Sequence, residues 1–202
     1  MYKFIILTTL LMTMSNNISS QAKYKSVKDV YGLEQGSKVA DFHAKDLDDQ
    51  PYQLYDALKN GPVVLIFVRG QWCPFCNKHL SKIQDSLDLI YAKGASVVVV
   101  SPETSEFLKK TKAKTGAEFT LLYDEDYKIA TAFDVKFRPD SLTRLMYNTM
   151  LGAKLKDSHD DDSEQLPVPA TYIIAKDGTV KWRHFDRDYK KRSTVQEILN
   201  NL

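Results

Sequence analysis

An unbroken apolar run, Val63 to Val68, ends a few residues before a Cys-x-x-Cys motif. Six consecutive apolar residues, rich in β-branched side chains, are typical of a strand that is buried on both faces. Cys73 and Cys76 follow, and Pro74 between them favours the first position of a helix. A strand that leads into a helix through this motif is the context in which two cysteines indicate thiol redox chemistry.

The rest of the chain predicts alternating strands and helices, with no internal repeat. The predicted elements are, in order, a short hairpin and a short helix within residues 24–60, the strand at 63–68, a helix at 74–94, a strand at 95–100, a helix at 102–114, a strand at 119–123, a helix at 127–133, an aperiodic insertion at 137–168, a hairpin at 170–185 and a terminal helix opened by a capping box at Thr194. Parallel crossovers followed by an antiparallel hairpin predict an α/β fold, with a mixed central sheet and helices on both faces.

The N-terminal residues have the order of a secretory signal. Lys3 precedes an apolar stretch from Phe4 to Met14, and small polar residues from Ser15 to Ser20 follow. The apolar stretch is shorter than the roughly 20 residues that a spanning helix needs. We therefore expect residues 1–20 to direct export to the periplasm or the cell exterior, and residues 21–202 to form one domain without stable membrane contact. An uncleaved N-terminal anchor is the alternative.

Composition excludes several classes of function. Lys and Arg number 28 against 26 Asp and Glu, and the net charge of +2 gives no reason to expect a nucleic-acid partner. Two cysteines cannot build a multi-disulfide scaffold, and a zinc site would need two further ligands. The chain has four histidines, and none of them lies at a spacing from the cysteines that is typical of zinc ligands. They are His43, His79, His159 and His184. We expect neither a metal nor an organic cofactor.

The two cysteines are placed for redox chemistry. Cys73 lies at or near the helix N-cap, where unpaired N–H groups and the helix dipole favour its thiolate. Cys76 is one turn later on the same face, close enough for a disulfide to form with little backbone movement. So small a loop constrains the unfolded chain little, and stability is therefore a poor explanation for the pair. Export would keep both in a compartment where disulfides persist.

Other side chains near the motif are weighed as contributors. Arg69, four residues before Cys73, is a candidate for stabilising a thiolate or a leaving oxygen. The predicted surface for a substrate or partner consists of Trp72, Pro74, Phe75 and Val168. His79 is expected to be solvated, and its alternative role is a proton shuttle. The loop around His159 lacks the glycine and the glutamate of a calcium-binding loop, so it is also expected to be solvated. The same expectation holds for the basic stretch at 190–192.

Three blocks in one order give the chain a family resemblance. They are residues 69–78, Ser101-Pro102-Glu103, and residues 167–174 followed by Asp177-Gly178, and the Asp-x-Asp-Tyr-x-x-Arg ending at Arg192 is similar to the same group. The sequence resembles peroxiredoxin-like members of the alkyl hydroperoxide reductase/thiol-specific antioxidant family over roughly residues 33–202. This resemblance implies a thioredoxin-like fold, thiol redox chemistry and a cis Val168–Pro169 bond that places Pro169 beside the cysteines.

The chain departs from the family at one motif. Typical peroxiredoxins carry Pro-x-x-x-Thr-x-x-Cys, in which the Thr hydroxyl and a later Arg orient the peroxide. If Cys76 takes the place of their cysteine, Cys73 stands at the Thr position and Arg69 at the Pro position. If Cys73 takes that place, Gly70 and Ile66 stand there instead. In either register the peroxide-orienting Thr is missing, so the sequence leaves open which cysteine attacks the peroxide. The alignment weakly nominates Cys76, and the thioredoxin-like position at the helix start nominates Cys73.

Three functions remain open at this point. The first is a thiol-dependent peroxidase in which one cysteine becomes a sulfenic acid and the other condenses with it, before an external thioredoxin-like dithiol reduces the disulfide. The second is a thiol–disulfide oxidoreductase acting on protein disulfides, with Cys73 attacking and Cys76 resolving. The third is a thioredoxin-fold binding module without turnover.

Overall fold

The computed structural model describes residues 24–202, so the predicted export signal at residues 1–20 lies outside the described residues. The strands are β1 (His43–Asp46), β2 (Pro51–Gln53), β3 (Val63–Phe67), β4 (Ser96–Ser101), β5 (Thr120–Tyr123), β6 (Lys136–Phe137), β7 (Leu166–Pro167), β8 (Ala170–Ile174) and β9 (Val180–Phe185). The helices are α1 (Leu54–Asn60), α2 (Pro74–Gln84), α3 (Leu87–Ala92), α4 (Ser105–Thr115), α5 (Lys128–Ala132), α6 (Ser141–Met150), α7 (Leu155–His159) and α8 (Val195–Asn201). None of the helices in this part of the chain is both long and apolar enough to cross a bilayer.

The central sheet has the mixed topology that the sequence predicts. Its strand order is β2-β1-β5-β4-β3-β8-β9. β3, β4 and β5 are parallel neighbours, whereas β8 pairs antiparallel with both β3 and β9. β3 lies inside the sheet with a partner on each side, β4 and β8, so the position where it ends is fixed by both neighbours.

Both faces of β3 are buried, as its unbroken apolar run predicts. Alternate residues of the strand face opposite cores: Val64 and Ile66 pack on one side, and Val63, Leu65 and Phe67 on the other. Helices α2, α3, α4 and α8 contribute to the first core, and α1 and α5 to the second. The prediction of helices on both faces is therefore confirmed.

Two predictions about helices were wrong. The helix predicted at 74–94 is two helices, because the backbone at Ser86, with φ −122° and ψ 15°, leaves the helical region. The insertion at 137–168, predicted to be irregular, contains α6 and α7. Asp140 caps α6 by accepting a hydrogen bond from the Thr143 N–H at 2.9 Å. Apolar residues do recur along α6 at helical spacing, at Leu142, Leu145, Met146 and Met150, but the structure leaves them exposed and buries only Tyr147 of this helix.

The start of β3 depends on a close backbone approach at Gly61. A β-carbon added to Gly61 would lie 1.9 Å from the carbonyl oxygen of Gly94. Gly61→Ala should therefore lower the free energy of unfolding by about 1–3 kcal/mol, the usual range for an overpacked site. Urea unfolding of this variant and of Asn60→Ala, an exposed neighbour expected to change it by less than about 0.5 kcal/mol, provides the measurement. Equal stability of the two variants would contradict the prediction.

Candidate active site

The cysteine motif lies after the end of β3, at the start of α2. Beyond the strand, the Val68 N–H still donates to the Val100 carbonyl at 3.0 Å, and the chain then turns so that the Cys73 N–H reaches the Gly70 carbonyl at 3.1 Å. Cys73 is the N-cap of α2, and its sulfur accepts a hydrogen bond from the Cys76 N–H at 3.3 Å. The predicted helix start is confirmed, and both cysteines are free thiols without solvent exposure.

Gly70 and Glu103 shape the turn between strand and helix. Gly70 has φ +143°, and an added β-carbon would lie 2.5 Å from Oε1 of Glu103. The other carboxyl oxygen of Glu103 accepts a hydrogen bond from the Gln71 N–H at 2.7 Å. Glu103 is fully buried, and burial raises its pKa to about 8. At neutral pH this carboxyl is therefore protonated. It holds the turn that precedes Cys73 through its hydrogen bond with Gln71.

Arg69 is buried directly beside the cysteines. Its guanidinium donates to Cys73 Sγ at 3.2 Å and to the Tyr147 hydroxyl at 2.8 Å. The group stacks over the Tyr189 ring at 3.8 Å and lies 5.0 Å from the centre of the Trp72 ring. Arg69 has 2% of its surface exposed and pairs with no carboxylate in the described chain, so its polar partners are the Cys73 sulfur and the Tyr147 hydroxyl.

Arg192 is the contributor that the sequence analysis missed. The stretch at 190–192 was predicted to be solvated, but Nη2 of Arg192 lies 3.3 Å from Cys76 Sγ. Its Nε donates to the Tyr189 carbonyl at 2.7 Å, which fixes the side chain in this direction. The signal was present in the family-like pattern ending at Arg192, although its spacing of 116 residues from Cys76 gave no hint of contact.

The surroundings of the two cysteines shift their pKa values in opposite directions. Burial alone would raise the pKa of Cys76, but the hydrogen bond from Cys73 and the charges of Arg192 and Arg69 hold that pKa well below its usual value. Burial and the neighbouring Cys76 sulfur raise the pKa of Cys73, and Arg69 offsets only part of that increase. The directions of the two pKa shifts favour negative charge on Cys76, whereas the helix N-cap position and the hydrogen bonds from Arg69 and the Cys76 N–H favour charge on Cys73.

The predicted partner surface is only half accessible. Pro74 and Phe75 are exposed, and 38% of the Phe75 surface is accessible. Trp72 and Val168, in contrast, are buried, so their assignment to a docking surface was wrong. Trp72 packs on Tyr147 with ring centres 4.9 Å apart, since helix α6 of the insertion covers it.

Pro169 lies near the site, but its peptide bond is not cis. Every peptide bond of residues 24–202 is trans, so the predicted cis Val168–Pro169 bond was wrong. The Val168 N–H donates to the Val135 carbonyl at 2.7 Å and β7 pairs with β6, which holds this segment extended in the intrinsically preferred isomer. Pro169 and Arg69 line one cavity of about 260 Å³.

Two histidines that were predicted to be solvated are buried. Nε2 of His79 lies 3.3 Å from the Ser193 hydroxyl, and His159 pairs through Nδ1 with the Tyr127 hydroxyl at 3.0 Å. Helix α7 carries His159 inward, so the segment is not the open loop that the sequence suggested. Within residues 24–202 no cluster of three or more His, Cys, Asp or Glu side chains could hold a metal ion.

Comparison with known proteins adds a family and a fold. The model of the AhpC/TSA family matches residues 35–183. The chain is 34% identical over 170 residues to the chloroplastic peroxiredoxin Q of Sedum lineare, which covers 84% of this chain and 78% of that protein. It is 32% identical over 103 residues to peroxiredoxin Bcp of Bacillus subtilis, covering 51% of this chain and 65% of that protein.

Solved structures agree on the fold. Peroxidoxin BcpB from Mycobacterium tuberculosis superposes with a TM-score of 0.64 at 23% identity, covering 84% of this chain and 96% of that one. A peroxiredoxin-like protein from Aquifex aeolicus gives 0.64 at 18% identity, with 89% and 95% covered. The thioredoxin-like α/β fold predicted from the sequence is confirmed.

Removing the charge of Arg192 should weaken the Cys76 thiolate. We expect Arg192→Gln to raise the pKa of the titrating thiol by about one unit, which corresponds to about 1.4 kcal/mol of lost charge stabilisation. The ultraviolet absorbance of the thiolate, followed against pH, measures this change. Lys191→Gln is the matched control, because its side chain is 63% exposed and pairs with Asp186 instead. Equal titration curves for both variants would refute the assignment.

Glu103 should make stability depend on pH. Its pKa of about 8 in the folded protein exceeds the value of about 4.3 for an unfolded glutamate, so the folded state binds the extra proton between these limits. Stability therefore falls as pH rises through this window, by at most about 1.4 kcal/mol per pH unit. Glu103→Gln should remove that slope.

Urea unfolding from pH 4.5 to 8.5 tests this, with Glu118→Gln as the control for an exposed carboxyl. Parallel curves for the wild type and the Glu103 variant would show that this carboxyl does not titrate inside the fold.

Proposed function

This chain belongs to the AhpC/TSA family, and we propose that it reduces peroxides at Cys76 and stores the oxidising equivalents as a Cys73–Cys76 disulfide. It is a thiol-dependent peroxidase, an oxidoreductase of antioxidant type. The contact between Arg192 and the Cys76 sulfur at 3.3 Å carries the assignment of the attacking residue. A thiolate stabilised by a neighbouring cation is the nucleophile that peroxide reduction needs.

In the first step the Cys76 thiolate attacks the terminal oxygen of the peroxide. The S–O bond forms as the O–O bond breaks, and the leaving alkoxide or hydroxide takes the proton that Cys73 holds. Cys73 stands at the position of the family's peroxide-orienting threonine, and its S–H is a weaker donor than a hydroxyl. Arg192 would supply the charged donor that stabilises the developing oxyanion.

The second step joins the two sulfurs. Having lost its proton, Cys73 is a thiolate that Arg69 stabilises from 3.2 Å. It attacks the sulfenic sulfur of Cys76, the S–S bond forms, and hydroxide leaves as water with a proton from solvent. An external thiol then returns the pair to its reduced state, and a thioredoxin-like dithiol is the reductant expected from the sequence. No metal or organic cofactor enters these steps.

Burial of both sulfurs supports a small oxidant over a protein disulfide. Exchange with a protein disulfide requires the attacking sulfur to reach a partner's surface. Neither Cys73 nor Cys76 has solvent exposure, and Trp72 beside them is covered by Tyr147. Thiol–disulfide oxidoreduction therefore remains the second candidate and is an outcome of the test below.

Single-cysteine variants distinguish these candidates. In a Trp182→Phe background, stopped-flow fluorescence of Trp72 reports the reaction of the reduced protein with hydrogen peroxide. We expect Cys76→Ser to lose the rapid oxidation phase, since the nucleophile is gone. Cys73→Ser should still react and accumulate a sulfenic acid, because its resolving partner is missing.

The sulfenic acid is detected as the mass of its adduct with a dimedone-type trap. Oxidation of the intact pair no faster than that of a free thiol, together with rapid reaction with a protein disulfide, would replace the peroxidase assignment by disulfide oxidoreduction. Trapping of Cys73 in the Cys76→Ser variant would reverse the roles of the two residues.

We further propose that residues 1–20 direct export. The basic, apolar and small-residue order of this segment supports the proposal. The relatives include a chloroplast protein and bacterial proteins, so family membership alone does not specify a compartment. Fractionation of the native host and intact-mass measurement should find a chain that begins near Gln21 outside the cytoplasm. A full-length chain in the membrane fraction would indicate the uncleaved anchor.

A further inference from the structure

Tyr147 is the side chain through which helix α6 contacts the cysteine site. It is the buried residue of that helix, and its ring packs on Trp72 with ring centres 4.9 Å apart. Its hydroxyl accepts a hydrogen bond from Nη1 of Arg69 at 2.8 Å. The same guanidinium donates from Nη2 to Cys73 Sγ at 3.2 Å. One side chain of the insertion is therefore linked to a reacting sulfur through a single charged group.

The Tyr147 hydroxyl fixes the direction in which Arg69 donates. A guanidinium is planar and its N–H groups form a rigid fork, so holding one nitrogen orients the other. The cation also lies 3.8 Å from the centre of the Tyr189 ring and 5.0 Å from that of Trp72. Ring faces attract a cation without neutralising it, so its charge stays available to the sulfur. The hydroxyl is the contact that directs this charge to Cys73.

Helix α6 is fixed on both sides of Tyr147. Glu164 accepts hydrogen bonds from Nε of Arg144 at 2.7 Å and from Nδ2 of Asn148 at 2.9 Å. Because Arg144, Tyr147 and Asn148 are three and four residues apart, they share the helix face that turns toward the body of the protein. The Tyr147 carbonyl accepts a further bond from the Ala153 N–H at 3.0 Å. Supporting contacts of this kind hold a side chain in one position.

We propose that Tyr147 is a positioning residue for disulfide formation, because it orients Arg69 so that Cys73 is a thiolate when it attacks the sulfenic sulfur of Cys76. The inference rests on the proposed function and adds to it a role for helix α6. In this step the Cys73 thiolate donates an electron pair, the S–S bond forms and the S–O bond breaks. The oxygen leaves as hydroxide and becomes water with a proton from solvent. Tyr147 keeps its proton and Arg69 keeps its charge throughout.

The second step depends on Arg69 more than the first step does. In the reduced pair, burial and the neighbouring Cys76 sulfur raise the pKa of Cys73, and Arg69 lowers it. Oxidation converts Cys76 to a neutral sulfenic acid, which leaves burial and Arg69 as the opposing influences. Arg69 then sets the fraction of Cys73 that is thiolate. In the first step the leaving hydroxide is a far stronger base than a thiolate, so it takes the Cys73 proton without this help.

A thiol titration tests the orientation of Arg69 without any peroxide. Cys76→Ser puts a neutral hydroxyl where the sulfenic acid would form and leaves Cys73 as the one thiol of the chain. We expect the pKa of Cys73, measured from the ultraviolet absorbance of the thiolate, to be about one unit higher in C76S/Y147F than in C76S. Phenylalanine keeps the ring that packs on Trp72 and removes only the hydroxyl.

Tyr91→Phe in the same C76S background is the matched control. It removes a hydroxyl from helix α3, on a side chain that is 44% exposed, and should leave the titration of Cys73 unchanged. Equal titration curves for C76S, C76S/Y91F and C76S/Y147F would overturn the proposal.

Stopped-flow kinetics of the protein with both cysteines test the chemical step. In the Trp182→Phe background, Trp72 fluorescence separates oxidation, whose rate is proportional to peroxide concentration, from disulfide formation, whose rate is independent of it. At pH 7, Tyr147→Phe should slow disulfide formation by about tenfold and leave oxidation nearly unchanged. The deficit should shrink as pH rises, because Cys73 then ionises without the oriented guanidinium. A dimedone-type trap should capture more sulfenic acid in Y147F than in Y91F.

Other groups near the pair do not produce this pH profile. The neighbouring arginines, Arg138, Arg187 and Arg192, stay charged across the range. Hydrogen bonds with Thr143 lower the pKa of Asp140, so its carboxylate stays ionised. Glu103, whose pKa is raised to about 8, titrates in both proteins and cancels in the ratio of their rate constants. The ratio therefore reports Cys73.

The failure of this inference is distinguishable from failure of the peroxidase assignment. Equal slowing of both phases by Y147F at every pH would indicate a purely structural role for Tyr147 and would overturn the inference. Unchanged disulfide formation in Y147F would overturn it as well. Oxidation of the wild type no faster than that of a free thiol would reject the peroxidase. A shifted Cys73 titration in C76S/Y147F would even then support Tyr147 as the residue that orients Arg69.

Discussion

Two buried sulfurs and the two arginines beside them form the interaction on which the site depends. Arg69 contacts Cys73 and Arg192 contacts Cys76, and in the described chain neither guanidinium pairs with a carboxylate. A buried cation without a partner is costly, so a thiolate is favoured here by the same charges that it neutralises. Stability of the reduced site and its reactivity therefore have one electrostatic origin.

The fold serves this pair by bringing three distant segments to the end of β3. The strand, buried on both faces, fixes the start of α2 and so the cysteine motif. Helix α6 supplies Tyr147 over Arg69, and the segment after β9 supplies Tyr189 and Arg192. The mixed sheet makes this convergence possible, because the antiparallel pairing of β8 with β3 and β9 returns the C-terminal segment to the same region.

The neutral groups of the site are as informative as the charged ones. Glu103 accepts a hydrogen bond from the Gln71 N–H while holding its proton, because burial, and to a smaller extent the charge of Cys76, raise its pKa to about 8. Burial and the charge of Arg192 lower the pKa of His79 to about 3, so this buried imidazole is neutral at neutral pH. Burial and the neighbouring Cys76 sulfur raise the pKa of Cys73, which favours its protonated form. The positive charges that contact the two sulfurs are therefore those of Arg69 and Arg192.

The sequence by itself determined the α/β fold, the buried strand before the motif, the helix start at Pro74 and the redox role of the cysteine pair. These depend on patterns within a few residues: apolar continuity, capping chemistry and motif spacing. Only the tertiary structure decided that Arg192 contacts Cys76, that Tyr147 packs over Arg69, and that the Val168–Pro169 bond is trans. Cys76 and Arg192 lie 116 residues apart and Arg69 and Tyr147 lie 78 apart, so patterns within a few residues do not record these contacts.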